Sequence, residues 1–430
     1  MSPFEPERVK LCRLILYLPV LSRPPQKKLM SSTPEQASPN GALTRGLLFL
    51  LAATAGLSVA NIYFNQPLLD EFRRSFPDEA NWVGAVPTAT QLGYAAGMFF
   101  LAPLGDRFER RTLILFQIVG LCIMLVAAAL APNLITLVAA SLFIGILATI
   151  AQQVVPFAAE LAAPEERGAA VGFVMSGLLL GILLARTVSG ELAGHFGWRV
   201  VFGAAVGSMV VLGAIIALRL PRRKPGSQLP YGLLLMSIWH LVREEPLLRN
   251  ASITGAALFA SFSAFWSVLA LLLSGAPFHL GAEAAGLFGI VGAAGALVAP
   301  LAGRSADTRG PNAVIKLAIW LTALSFVIFA GSSRSLIGLV IGVLVLDIGI
   351  QAAQISNQSR IYSIRPEARS RMNTVYMVSY FIGGAFGSAA GAFAWRHAGW
   401  LGVSGVGLLC AVVAGLNHRR NNDAQTMTAS

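Results

Sequence analysis

The chain has 430 residues, of which 55% are hydrophobic and 12% are charged, and its formal net charge is +12. Because a soluble globular domain carries about 25% charged residues, this composition excludes an ordinary soluble protein and indicates a membrane protein. No soluble basic module of the kind that binds nucleic acid is visible in the sequence, so the positive charge is interpreted by its position along the chain.

Twelve apolar segments follow a polar, Pro- and Ser-rich start of 45 residues, which we expect to be a cytoplasmic tail. Each segment has about the 20 residues that a helix needs to cross the hydrocarbon core of a bilayer. The predicted spans are 46–67, 82–104, 112–131, 134–157, 169–193, 198–218, 251–274, 284–303, 312–331, 335–356, 371–394 and 398–417. They predict an all-α integral membrane protein with twelve transmembrane helices.

The spans divide into an N-terminal six-helix bundle over 46–218 and a C-terminal one over 251–417. Between them, 219–250 opens with a basic run and continues as an amphipathic stretch, which predicts a cytoplasmic linker lying on the membrane interface. Most of the 32 Lys and Arg residues fall on the side of this linker and of both termini, including the tail 418–430. The positive-inside rule therefore predicts cytoplasmic termini in a multi-pass protein of the inner (plasma) membrane.

The two halves repeat each other at a shift of 202 residues, which aligns 164–167 with 366–369 and 195–198 with 397–400. Parallel repeats pair about a pseudo-two-fold axis, and the substrate path lies at their interface. Small residues recur at every fourth position in spans 5 and 11, a spacing that lets helices approach closely. These residues are Gly177, Gly181, Ala185 and Ser189, and Ser379, Gly383, Gly387 and Gly391. They predict either static packing or a sliding contact between the halves.

Two ionisable residues lie deep in the predicted spans, Arg186 in span 5 and Asp347 in span 10. A charge at the bilayer centre costs at least about 2.5 kcal/mol, so each residue needs a partner, water or a function. Because the two spans belong to opposite halves, we predict a charge pair that bridges the interface and breaks when the halves rock, with Asp347 exchanging a proton. A permanent buried pair is the alternative.

Polar residues on several spans are candidates for a substrate cavity. Asp347, Gln351, Gln354 and Gln358 lie at offsets that place them on one face of a helix. The candidate cavity residues are Asn61, Tyr63, Asn65 and Gln66 in span 1, Gln91 and Tyr94 in span 2, Gln152 and Gln153 in span 4, Gln351 and Gln354 in span 10, and Tyr376 and Tyr380 in span 11. Each one taken alone is equally suited to holding two helices together.

Patterns of catalysis and metal binding are missing from the sequence. The three cysteines and five histidines have no chelating spacing, so we expect no metal site and no cofactor. No nucleophile–base set and no nucleotide-binding loop occurs either, which argues against an enzyme and against ATP as the energy source. The expected partners are a small-molecule substrate, protons and the lipid bilayer, with the chain a monomer.

Loop 2/3, residues 102–111, has the sequence APLGDRFERR and resembles the loop signature G-x-L-a-D-r-x-G-r-k of the major facilitator superfamily. Ala102 and Glu109 replace its two glycines, whereas the second copy in loop 8/9, residues 303–310, keeps both. Residues 60–67 resemble the end of span 1 in a bacterial subgroup of this family.

Span 5 resembles the antiporter motif G-x-x-x-G-x-x-x-G-P-x-x-G-G of the same family at Gly177, Gly181 and Gly190. Ala185 and Arg186 stand where that motif has Gly-Pro. The resemblance covers residues 45–418 and points to the drug:proton antiporter-like branch.

The resemblance implies the major facilitator fold of two pseudo-symmetric six-helix bundles, with loops 2/3 and 8/9 as conformational latches. It implies that Asp106 caps a helix and that Arg107, Arg110 and Arg111 form ion pairs, with Glu160 as a candidate partner. The residues implied in loop 8/9 are Gly303, Asp307, Arg309 and Gly310.

The expected function is secondary active transport, with proton-coupled export of small organic solutes by alternating access. A proton:solute symporter or a uniporter for uptake has the same fold and is the first alternative. A membrane sensor that transports nothing is an alternative of another class.

Overall fold

The computed structural model describes residues 43–163, 165–222, 231–296, 310–365 and 368–429, without the side chains of residues 106, 295, 296 and 421–429. Spans 1 to 6 are Arg45–Ala60, Ala85–Phe100, Arg110–Ala129, Leu134–Leu161, Arg167–Phe196 and Trp198–Arg219. Spans 7 to 10 are Pro246–Ser274, Ala282–Ala296, Pro311–Gly331 and Leu336–Tyr362, and spans 11 and 12 share Arg369–Ala429. A short helix, Leu69–Ser75, follows span 1, and Tyr231–Glu244 forms a linker helix between the halves.

Twelve spans result, as predicted. Eight helical segments of the described chain are individually long and apolar enough to cross a membrane. The last of them, Arg369–Arg420, comprises two spans, because Gly399 has φ 58° and ψ −147° and interrupts the helix. Spans 1, 2 and 8 have 16, 16 and 15 described residues. The all-α, twelve-span fold is therefore confirmed, whereas the domain boundaries remain predictions.

Span 1 is shorter than predicted, since its helix ends at Ala60 rather than at residue 67. The side-chain amide of Asn61 donates to the carbonyl of Leu57 at 2.8 Å and occupies an acceptor at the helix end. Pro67 lacks an N–H and disfavours a helical conformation of the residue before it. Residues 61–67 therefore form turns, which free Gln66 to point away from the axis of span 1.

The internal repeat is visible in the backbone as well as in the sequence. Gly197 and Gly399 both have positive φ, at 81° and 58°, and each separates two consecutive spans. The tryptophan that follows each glycine is buried and donates its indole N–H, Trp198 to Ser75 Oγ at 2.8 Å and Trp400 to the carbonyl of Phe329 at 2.7 Å. A left-handed glycine followed by an anchored tryptophan thus ends the fifth and the eleventh span alike.

The small-residue stripes pack inside each half and not between the halves. A Cβ added at Gly181 would clash with the backbone of Gly56 in span 1, and a Cβ added at Gly387 would clash with Ala260 in span 7. The hypothesis of a sliding contact made by these stripes is therefore wrong for these residues. Spans 5 and 8 do meet across the halves, but through Thr187 and Gly190, which are not members of the stripe.

The linker helix Tyr231–Glu244 is covered by protein on its apolar face. Ile238 and Leu241 are buried against the bundle rather than facing outward. Tyr231 donates its hydroxyl to the carbonyl of Phe100 at 2.7 Å, and partial burial raises the pKa of this phenol above its usual value. Arg365 pairs with Glu244 at 3.2 Å and with Glu245 at 2.6 Å. The amphipathic stretch is thus a helix whose apolar face packs on the bundle, and its predicted position on the membrane interface stays a prediction.

Candidate substrate and proton site

A cavity of about 460 Å³ lies between the two halves. Its walls come from spans 1, 2, 4, 5, 7, 10 and 11 and from the linker helix. At one end it reaches Arg186 and Asp347, and at the other it reaches Pro103 of loop 2/3 and Arg371 at the start of span 11. The cavity therefore runs from the middle of the spans to the face that carries loop 2/3.

The opposite face is closed by contacts between the halves. Thr187 in span 5 donates to the carbonyl of Gly286 in span 8 at 3.0 Å. The guanidinium of Arg396 lies 5.4 Å from the ring centre of Trp82. Ser263 in span 7 donates to Gln91 Oε1 in span 2 at 3.1 Å. Within the described residues, the cavity is therefore open toward the loop 2/3 face and closed toward the opposite face.

Arg186 is held by an amide and by aromatic rings. The residue is 2% exposed, and its Nε donates a hydrogen bond to Gln66 Oε1 at 2.7 Å. The guanidinium carbon lies 4.1 Å from the ring centre of Trp266, 4.8 Å from that of Tyr63 and 5.7 Å from that of Phe262. Such ring faces attract a cation. One terminal nitrogen, Nη2, has no hydrogen-bond partner among the described residues.

Asp347 lies near Arg186 without forming an ion pair with it. The residue is 6% exposed, and within the part of the chain that the structure describes its Oδ2 has no hydrogen-bond partner. No pair of nitrogen and oxygen atoms from these two residues lies within 4.0 Å, although the charges interact electrostatically. The predicted contact is thus absent in this conformation, because Gln66 and Trp266 hold the guanidinium in another direction.

Span 8 supplies the glycine surface on which both charged side chains rest. A Cβ at Gly289 would lie 3.0 Å from Cβ of Arg186. A Cβ at Gly292 would lie 3.2 Å from Oδ1 of Asp347 and 3.2 Å from Cζ2 of Trp266. The sequence interpretation missed this face, although glycine at every third position from Gly286 to Gly292 was a readable signal.

The polar stripe of span 10 faces the cavity together with Asp347. Gln351, Gln354 and Gln358 all line it. Gln354 Oε1 accepts from the hydroxyl of Tyr380 at 3.3 Å, and Tyr380 stacks on Phe259 with ring centres 3.9 Å apart. This wall therefore offers amide groups beside aromatic faces.

The predicted cavity residues separate into two groups. Those that line the cavity are Tyr63, Tyr94, Gln152, Gln153, Gln351, Gln354 and Tyr380, with Arg186 and Asp347. Those outside its lining are Asn61, Asn65, Gln66, Gln91 and Tyr376. Asn65 donates to Thr90 Oγ1 at 2.8 Å, Gln66 orients Arg186, and Gln91 joins the halves. Tyr376 is fully buried against Gly255.

The loop 2/3 residues make defined contacts on the open face. Arg110 forms an ion pair with Glu160 at 2.7 Å and also donates to the carbonyl of Gln153. Arg111 donates to the carbonyl of Leu220 at 3.0 Å and to that of Ala217, so it caps the end of span 6.

The other implied latch residues have less defined contacts. Arg107 is exposed, and the side chain of Asp106 lies outside the described residues. In loop 8/9, Gly303, Asp307 and Arg309 also lie outside the described residues. Gly310 has φ 81° and immediately precedes the first residue of span 9.

Comparison with known proteins decides the family. Residues 48–388 match the sequence profile of the Major Facilitator Superfamily. The chain belongs to the major facilitator superfamily. This major facilitator protein is 43% identical over 375 residues to the uncharacterized transporter YgaY of Escherichia coli O157:H7, which covers 87% of this chain and 95% of that protein.

Solved structures share the fold of this major facilitator protein. The peptide transporter POT in complex with sulfate has 14% sequence identity and a TM-score of 0.69, covering 87% of this chain and 94% of that one. A D-xylose-proton symporter has 14% identity and a TM-score of 0.69, with 86% and 96% covered. The protein is therefore a multi-pass membrane transporter of this superfamily and not an enzyme.

Proposed function

We propose that this protein exports small organic solutes in exchange for protons, by alternating access between its two six-span halves. The observation that carries the proposal is Asp347, a buried carboxylate in the cavity wall whose Oδ2 lacks a hydrogen-bond partner. Because an unpaired buried charge is costly, a proton or a group of the solute must neutralise it during the cycle. Competition between the two for one carboxylate couples their movements in opposite directions.

Arg186 supplies the second half of the coupling device. The positive charge of Arg186 interacts electrostatically with Asp347. Arginine stays protonated in proteins, so its charge favours an ionised Asp347 when the two approach. Rocking of the halves moves span 5 relative to span 10 and changes that distance, which alternately favours proton release and proton uptake.

The side of the membrane to which the cavity opens is inferred from the distribution of basic residues. The positive-inside rule assigns loop 2/3, and with it the mouth of the cavity, to the cytoplasmic side of the inner membrane. In this inward-open state the solute enters from the cytoplasm and displaces a proton from Asp347. The resemblance of span 5 to the antiporter motif at Gly177, Gly181 and Gly190 supports exchange rather than cotransport. Loop 2/3, with the Arg110–Glu160 pair, is proposed to close over the mouth in the other state.

Inverted membrane vesicles containing the full chain test the proposal. Respiration acidifies their lumen, and a pH-sensitive dye reports the gradient while amino acids, sugars and cationic dyes are added one at a time. Exchange predicts that a transported solute dissipates the gradient, since its entry releases protons. Asp347→Asn is expected to abolish this dissipation, whereas Asp78→Asn, at an exposed position, is the matched control and leaves it unchanged.

Four other outcomes contradict the proposal. Dissipation by Asp347→Asn at the wild-type rate removes the coupling role of that carboxylate. Solute movement without any change in the pH gradient identifies a uniporter, and uptake driven by inward proton flow identifies a symporter. Movement of no solute from the panel supports a membrane sensor instead.

A further inference from the structure

Two opposite charges end in the same cavity, and each has an open hydrogen-bonding position. Arg186 is 2% exposed and Asp347 is 6% exposed, and neither Nη2 of Arg186 nor Oδ2 of Asp347 has a hydrogen-bond partner in the described ranges. The indole N–H of Trp266, whose ring lies beside both, has none there either. Buried polar groups are almost always hydrogen-bonded, so three neighbouring exceptions indicate a place where a ligand supplies the missing partners.

The two charges lie against one aromatic ring. The guanidinium carbon of Arg186 is 4.1 Å from the ring centre of Trp266. A Cβ added at Gly292 of span 8 would lie 3.2 Å from Cζ2 of Trp266 and 3.2 Å from Oδ1 of Asp347, so the carboxylate lies at the edge of the same ring. A small ligand beside this indole is therefore able to contact both charges at once.

The charge balance of this pair selects among ligands. With Asp347 ionised, the two side chains sum to zero, so a solute with a single positive charge gains Asp347 but is repelled by Arg186. A solute with a single negative charge is attracted by Arg186 but repelled by Asp347. A solute carrying both an ammonium and a carboxylate satisfies each open position and leaves no uncompensated charge.

Part of the remaining wall, apart from the glutamines of spans 4 and 10, suits an apolar body. Phe259, Phe262 and Phe381 line the cavity, with Leu178 and Ile182 from span 5. The volume of about 460 Å³ lies at the small end of ligand pockets, which range from about 300 to 1,000 Å³. An amino acid with a large aliphatic or aromatic side chain fits such a space.

We propose that this cavity binds a zwitterionic solute of the amino-acid type, with its carboxylate on Arg186, its ammonium on Asp347 and its apolar side chain among the phenylalanines. The inference rests on the proposed function, since it names the solute class that enters the transport cavity. The ammonium of the solute then replaces the proton on Asp347, so that one proton leaves as one solute binds.

Binding to the purified full chain in detergent, without any proton gradient, tests the inference. The probes are phenylalanine and leucine, and two analogues that each keep one charge, phenethylamine and 3-phenylpropanoate. Isothermal titration is expected to give phenylalanine at least tenfold tighter binding than either analogue. Arg186→Gln is expected to make phenylalanine bind no better than phenethylamine, and Asp347→Asn to make it bind no better than 3-phenylpropanoate. Arg186→Lys, which keeps the charge, guards against a general folding failure, and Arg199→Gln is the control outside the cavity.

Several results overturn the inference. Equal binding of phenethylamine and phenylalanine identifies a cation site, and equal binding of 3-phenylpropanoate identifies an anion site. Absence of binding by both amino acids at millimolar concentration excludes the zwitterion class. Because no gradient is present, zwitterion binding without proton exchange in vesicles contradicts only the proposed coupling. Proton exchange with a cationic dye, without zwitterion binding, contradicts only this inference.

Discussion

The contact between Gly190 and span 8 provides a direct way to open the closed face of the molecule. A Cβ added at Gly190 would clash with the carbonyl oxygen of Ala282 and would lie 2.9 Å from Cα of Gly286. Both atoms belong to the backbone of span 8, so no side chain is able to rotate away. In Gly190→Ala, spans 5 and 8 must therefore separate at this end of the interface between the halves.

The size of the effect follows from two opposing contributions. Forcing a methyl group into a packed interface costs about 1–3 kcal/mol. Replacing glycine by alanine inside a helix stabilises the helix by up to about 1 kcal/mol. This helix stabilisation applies to both conformations, whereas the clash applies only while this face is closed. Gly190→Ala is therefore expected to shift the equilibrium toward the conformation open on this face by about 1–3 kcal/mol, or roughly five- to 150-fold.

Cysteine labelling measures this shift. Ser263 is 1% exposed and lies at a second contact between the halves, the one with Gln91, so Ser263→Cys reports opening at a distance from the substitution. The reporter requires a chain in which Cys12, Cys122 and Cys410 are replaced by alanine. A membrane-impermeant maleimide is expected to label it at least fivefold faster when Gly190→Ala is added.

The matched control is Gly203→Ala in span 6. No atom lies within 4 Å of a Cβ at that position, so this change has the helical benefit without the clash. It is expected to leave the labelling rate unchanged. Equal labelling rates in Gly190→Ala and Gly203→Ala, with both proteins folded, would refute the reasoning that this contact holds the face closed.

Three further predictions concern the surroundings of the cavity. Gln66→Leu leaves Nε of Arg186 without an acceptor and is expected to lower the free energy of unfolding by about 1–3 kcal/mol. An unchanged thermal unfolding midpoint would contradict the role of Gln66 in positioning Arg186. Glu160→Gln removes a half-exposed partner, so its midpoint should fall by no more than about 2 °C; a larger fall in calorimetry would make this pair structurally important. Ile238→Asp places a charge on the buried face of the linker helix and is expected to make the linker more sensitive to limited proteolysis. Leu233→Asp, on the outer side of the same helix, is its control. Equal cleavage of the two variants would count against packing of the linker helix on the bundle.

The apolar spans were predictable because the partition of a helix into hydrocarbon depends on the composition of about 20 consecutive residues. That composition can be read directly from the sequence. The repeat was also predictable, because matching residues such as Trp198 and Trp400 recur at a constant shift in the sequence. In the structure, each of these tryptophans follows a glycine of positive φ. Arg186 and Asp347 were noticeable because an ionisable group is rare in such segments.

Helix rotation and the breaks in the helices were decided only by the tertiary structure. Gln91 was a cavity candidate but joins the halves, because the turn of span 2 directs it to Ser263. Gln66 lies in the turns after span 1 and accepts a hydrogen bond from Arg186. The periodicity of a continuous helix through residue 67 does not predict this contact. These placements depend on how close neighbouring backbones come.

The two buried charges show the division most clearly. The sequence by itself determined that Arg186 and Asp347 lie deep in spans of opposite halves, because their cost in hydrocarbon makes them exceptional. Only the tertiary structure decided that they rest side by side on Gly289 and Gly292 without pairing. The physical reason is that contact across helices depends on which residues lack a side chain, and three spans far apart in sequence must pack together before that becomes visible.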